Sequence, residues 1–179
     1  MIEGRAIISN IQETKQRVKS LGGDFKSSYA FKDIIFVPKK KNYNLSDDFL
    51  RVRVISKNNW PTKNVVLVRK QTEFKDIRKV DNIILKKEFD TESEALDFIK
   101  KELSAEFEYG FEYSREGWEY KLESRRIFIE DIENLKPSIE IEADSEENLQ
   151  RLFDKIGVVE KLRKSIPEMV RESLSRTAS

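Results

Sequence analysis

The chain has 179 residues, 34 of them basic and 33 acidic, and it contains neither cysteine nor histidine. That length supplies one well-buried core without requiring a second domain, and so small a net charge gives no argument for nucleic acid or an anionic membrane as partner. Disulfides, thiol nucleophiles and imidazole chemistry are excluded, so any catalysis must rest on carboxylates, Lys, Arg, Tyr and a hard cation.

Met1 to Ile8 reads as a short strand, although Ile2-Glu3-Gly4-Arg5 also spells a protease recognition sequence. Asn10 can cap a helix running through Ile11, Val18 and Leu21, and Gly22-Gly23 stops it. Strands follow at Tyr29 to Val37, ending at Pro38, at Phe49 to Ser56, and at Asn64 to Lys70. In the second of these, Leu50-Arg51-Val52-Arg53 alternates so that two guanidiniums share one face. Lys39-Lys40-Lys41-Asn42 and Lys57-Asn58-Asn59-Trp60-Pro61 read as loops. Arg78 to Phe89 is a further strand with Ile84, Lys86 and Glu88 on one face, and Thr91 with Glu94 forms a capping box for a helix to Leu103. Glu106 to Tyr113 and Gly117 to Leu122 then read as two strands. Trp118 alternates with Tyr120 and Leu122, which makes it a core residue rather than a nucleobase platform; Trp60 is the other exposed-aromatic candidate.

The densest pattern comes next. Ile127-Phe128-Ile129-Glu130-Asp131-Ile132-Glu133, the turn Asn134-Leu135-Lys136-Pro137, and Ser138-Ile139-Glu140-Ile141-Glu142 make a hairpin. Period two puts Glu140 and Glu142 on one face, and the turn brings Glu130 near them, so three acids are expected to converge. A solvated strand face alternates Glu with Ile in the same way. Beyond it, Ser145 or Asp144 caps a helix carrying Leu149, Leu152, Phe153 and Ile156, stopped by Gly157, and a last helix starts at Ser165 with Pro167 in its first turn. No apolar run is long enough to span a bilayer and there is no signal-peptide pattern, so a soluble cytoplasmic protein is expected.

About eight mostly antiparallel strands, charged on one face and apolar on the other, can bury both faces only by closing into a barrel. The expected fold is therefore α+β, a single domain over 1–179, with a tunnel-like barrel over about 1–143 and C-terminal helices over about 145–175. The charged faces would line the bore and the apolar faces would pack under the helices. A bore carrying acids and bases suits a polyanion held with its cations.

The chain resembles the CYTH domain, or triphosphate tunnel metalloenzymes, which include class IV adenylate cyclases and thiamine triphosphatases. The likeness rests on Glu3, Asp33-Ile34-Ile35-Phe36 with Pro38, Leu50-Arg51-Val52-Arg53, Lys70, Ile129-Glu130-Asp131-Ile132-Glu133, Ile139-Glu140-Ile141-Glu142 and Arg163-Lys164-Ser165. It implies an eight-stranded tunnel, Mg²⁺ or Mn²⁺ as cofactor, and metal-assisted phosphoryl transfer as hydrolase or cyclase. Carried over residue by residue, it makes Glu130, Glu140 and Glu142 catalytic and, with Glu3, metal ligands. Arg5, Arg51, Arg53, Lys70, Lys86, Arg115 and Arg163 would bind the substrate. The substrate would be ATP, inorganic triphosphate or thiamine triphosphate, and a homodimer stays open.

Four departures from the family pattern matter. Its initial Glu-x-Glu-x-Lys reads here as Glu3, Arg5 and Ile7; Ile84 and Lys86 stand where carboxylates are expected, leaving Glu88; Gly117 replaces a basic residue; and Ile166 replaces a tyrosine. Cations at Arg5 and Lys86 favour phosphate over metal. A catalytically impaired triphosphate-binding module is thus the alternative to an enzyme, with a protein-interaction domain third.

Overall fold

The computed structural model describes residues 1–58 and 63–178; the Trp60 candidate and part of its loop lie outside them. In chain order the elements are β1 (Ile2–Ile7), α1 (Ile11–Ser20), β2 (Asp24–Pro38), β3 (Phe49–Lys57), β4 (Val65–Lys75), β5 (Arg78–Phe89), α2 (Glu92–Glu102), β6 (Phe107–Leu122), β7 (Arg125–Ile132), β8 (Ser138–Ala143), α3 (Glu146–Ile156), β9 (Glu160–Leu162) and α4 (Ile166–Thr177). Eight antiparallel strands run in the order β5-β4-β3-β2-β6-β7-β8-β1, and β1 returns to β5 at Glu3 opposite Lys79, closing the barrel. The far half of β1 pairs instead with the short ninth strand, through Arg5 to Ile7. Beyond Lys79, β5 pairs only with β4 among the described residues, so the barrel is parted along that side.

Alternation explains the layers. On the outer face, Ala6, Ile127, Ile129, Ile139 and Ile141 pack under α1 and α3 through Val18, Leu149, Leu152, Phe153 and Ile156, all at most 4% exposed. Each Val, Leu, Ile or Phe among them contributes about 1.5–3 kcal/mol on burial, so this cluster holds α1 and α3 to the barrel. Gly4 lets α3 sit down on β1: a Cβ there would stand 2.5 Å from Leu149 Cδ2. A second cluster seats α2 through Ala95 and Ile99 on Leu50, Val52, Val65 and Leu67. The third is different, because α4 brings Ile166 and Val170 against Phe49 and Tyr113, and Ile166 with Pro167 forms part of the wall of the central cavity.

The helix boundaries follow their caps. Asn10 accepts from Glu13 N–H, Thr91 and Glu94 form the reciprocal box, Ser145 rather than Asp144 caps α3, and Gly157 ends α3 in the left-handed region at φ 75°. Two strand expectations change. The segments over 106–113 and 117–122 are one strand, since Ser114, Arg115 and Glu116 pair without interruption with β2. β9 was not expected, three residues being too short for an alternation to register. No helix among the described residues is long and apolar enough to cross a membrane.

Candidate functional site

Inside the barrel is a cavity of about 380 Å³, within the usual range of small-molecule sites. Among the described residues, eight cationic side chains (Arg5, Arg51, Arg53, Lys70, Lys79, Arg115, Arg126, Lys164) and five acidic ones line it. Most of them are joined into a chain of ion pairs of alternating sign. It runs from Lys70 to Asp81 (2.5 Å), Lys79 (3.4 Å), Glu140 (3.1 Å), Arg5 (2.7 Å) and Glu130 (2.5 Å). From Glu130 it continues to Arg115 (3.1 Å), Asp33 (3.0 Å) and Arg53 (2.8 Å). Every one of the eight barrel strands contributes to it. The chain begins on β4 and ends on neighbouring β3, so it passes nearly all the way round the bore. Arg51, on β3, faces the same cavity with no carboxylate partner among the described residues, and its Nε is buried without a hydrogen bond.

Burial raises the energy of every charge here, and the pairing decides which stay ionised. Burial pushes Glu140 upward, but Arg5 and Lys79 together hold it far below the usual carboxylate range. Glu130 is likewise held down by Arg115 and Arg5 against its burial. Arg5 and Lys79, which burial would lower, are raised by their carboxylates. Lys70 goes the other way: burial, then repulsion from Arg51 and Lys79, outweigh Asp81 and bring it down to about 8. Glu142, further along, is raised by burial and by Glu3, Glu140 and Glu119, with Arg126 opposing.

Gly117 has a structural role. The Tyr29 ring lies across it, so that a Cβ would fall 2.1 Å from Tyr29 Cζ, and the Tyr29 hydroxyl donates to Glu130 Oε1 at 2.6 Å. Where the resemblance implies a cation, this chain has a tyrosine folded over a glycine.

Solved structures share this architecture. PH1819 of Pyrococcus horikoshii superposes with a TM-score of 0.73 at 18% identity, covering 99% of each chain. PH1012 of the same organism gives 0.71 at 19%, covering 94% of this chain and 98% of its own. HpAC1 from Hippeastrum, an adenylyl cyclase candidate described with a dominant triphosphatase activity, gives 0.69 at 15%, covering 96% and 95%. The chain shares the fold of these structures, the closed eight-stranded barrel that the CYTH resemblance implies. No family model and no curated protein matches the sequence.

Within the tunnel, Arg5, Arg51, Arg53, Lys70, Arg115, Glu3, Glu130, Glu140 and Glu142 all line the one cavity. Two expected residues do not. Lys86 lies half exposed in an adjoining groove of about 400 Å³ with Ile55, Val66, Val68 and Ile83, 3.5 Å from Glu88. Arg163 is exposed toward a different groove, because Leu162 turns its side chain inward, and Lys164 lines the tunnel instead. Sequence reasoning missed Lys79 and Asp81 and gave Tyr29 no role. The available signal was the alternation Lys79-Val80-Asp81 in β5.

The expected convergence of Glu130, Glu140 and Glu142 is broken by Arg5, which donates to Glu130 and Glu140 at once and to Ser138 Oγ at 3.1 Å. Among the described residues no three carboxylates are close enough to hold a metal ion. As arranged, the donor set does not fit the divalent ion that the CYTH resemblance implies. It fits an anion, because guanidiniums and ammoniums outnumber the carboxylates and phosphate oxygens suit both.

Proposed function

We propose that the tunnel binds a triphosphate-bearing small molecule. The observation that carries this reading is Arg51, an arginine in a charged cavity with a buried Nε–H that lacks an acceptor. Leaving such a donor unmet costs about 1–3 kcal/mol, and a phosphate oxygen removes that cost. Arg53 lies two residues along the same strand, Lys70 lies on the adjoining strand, and Arg115 lines the same cavity. A second reading, hydrolysis of the triphosphate with Mg²⁺ or Mn²⁺, draws on the fold shared with HpAC1. Screening ATP, inorganic triphosphate and thiamine triphosphate for calorimetric binding and for phosphate release separates the two; absence of binding by all three overturns both.

Arg51→Ala should lower affinity for inorganic triphosphate by about tenfold to a hundredfold, the range for losing a charge-assisted hydrogen bond, while leaving the melting temperature near wild type. The reason for the split is that no carboxylate loses a partner. A melting temperature that falls while affinity stays unchanged would count against the assignment.

Lys70 makes the same site pH-dependent. It is charged below about pH 8 and neutral above, so affinity for triphosphate should fall as pH rises from 7 to 9. Lys70→Arg keeps its charge over that range and should flatten the profile. An identical decline in the variant would assign it to another group.

A further inference from the structure

We infer that this tunnel takes its polyanion without a divalent ion, with Arg5 and Lys79 as built-in counter-cations; the inference rests on the triphosphate reading above. The decisive geometry is the occupancy of the carboxylates. Glu130 Oε2 receives Arg5 at 2.5 Å and Arg115 at 3.3 Å, and Oε1 receives Tyr29 at 2.6 Å and Arg115 at 3.1 Å. Glu140 Oε2 receives Arg5 at 2.7 Å and Lys79 at 3.1 Å, and Lys79 also reaches Glu3 at 3.1 Å. Arg5 is 5% exposed.

A divalent ion bridging Glu130 and Glu140 would have to expel a buried guanidinium held by both, and one bridging Glu140 and Glu3 would have to expel Lys79. Mg²⁺ adds a further demand, since it keeps near-octahedral oxygen geometry and dehydrates reluctantly. The tyrosine over Gly117 occupies the remaining face of Glu130. Positive charge is thus already fixed at the points where the carboxylates could recruit it. The ligand class follows: a polyphosphate in its free, fully charged form, rather than its magnesium complex, in which part of the charge is already neutralised.

The test is calorimetry of inorganic triphosphate with the full chain, once with excess EDTA and once with excess Mg²⁺. Affinity in EDTA should equal or exceed that in Mg²⁺. An absolute metal requirement overturns the inference while sparing the triphosphate reading, whereas no binding in either buffer overturns that reading itself. A second readout needs no ligand. Mn²⁺ followed by electron paramagnetic resonance should show no saturable site in the wild type, and a stoichiometric site overturns the inference. Lys79→Glu should create such a site, because it places a fourth carboxylate beside Glu3, Asp81 and Glu140 in place of their shared cation. Lys79→Gln, a milder change to use if Lys79→Glu does not fold, should lose about tenfold in triphosphate affinity in EDTA, the effect of one charge-assisted contact. Unchanged affinity in Lys79→Gln would remove Lys79 from the counter-cation role.

Discussion

Arg5→Met should lower the free energy of unfolding by about 3–5 kcal/mol at pH 7, the cost of breaking a buried ion pair by removing one partner. Here one side chain serves two carboxylates, so Glu130 and Glu140 lose it together. The pH dependence identifies the cause. Both glutamates are held below their ordinary values in the folded state, so their contribution is present above the unfolded carboxylate range and is lost as pH falls. Without Arg5 both rise, and protonation then relieves the uncompensated charge. The deficit of the variant should therefore shrink between pH 7 and pH 4 in urea unfolding. A deficit of the same size at both values would mean that Arg5 acts through packing rather than charge.

Gly117→Ala should cost about 3 kcal/mol, although the position lies in an ordinary strand. The added methyl falls within 2.4 Å of Tyr29 Cε2 and the hydroxyl oxygen, so the ring must leave. Overpacking of this kind costs typically about 1–3 kcal/mol, and the lost hydrogen bond to the Glu130 carboxylate adds about 1.5–3 kcal/mol before relaxation returns some of it. A double-mutant cycle isolates the contact. In a Tyr29→Ala background, the same Gly117→Ala change should cost less than about 1 kcal/mol, because the three atoms nearest the methyl all belong to the Tyr29 side chain. Additive costs in the cycle would show that Gly117 is needed for its backbone and not for the ring above it.

Local chemistry determined much of this protein before any tertiary contact was known. Asn10, Thr91, Ser145, Ser165 and Gly157 mark helix ends through hydrogen bonds made within a few residues, and Asn134 to Pro137 turns the β7–β8 hairpin with Asn134 at φ 65°. Period-two alternation in Arg51 and Arg53, and in Glu140 and Glu142, was enough to place all four in one bore, since face is a property of spacing as long as the strand is regular.

What alternation could not decide was which opposite charges would meet. Arg5 lies 125 residues from Glu130, and only the pairing of β1 with β8 carries it between the two glutamates. Strand β5 shows the other limit. Its register shifts opposite Arg69 and Lys70, which face Leu85 and Ile83, so Ile84 is an extra residue and the inward face changes parity there. Lys79 and Asp81 line the tunnel on one side of that bulge, and Lys86 and Glu88 on the other side line the adjoining groove, which Arg51, Arg53 and Lys70 also border. A bulge belongs to a pair of strands rather than to one, so a count by twos from Lys86 along β5 puts Lys79 and Asp81 on the wrong face; closure of the barrel through Glu3 and Lys79, beyond which β5 pairs only with β4 among the described residues, leaves Lys86 outside the tunnel.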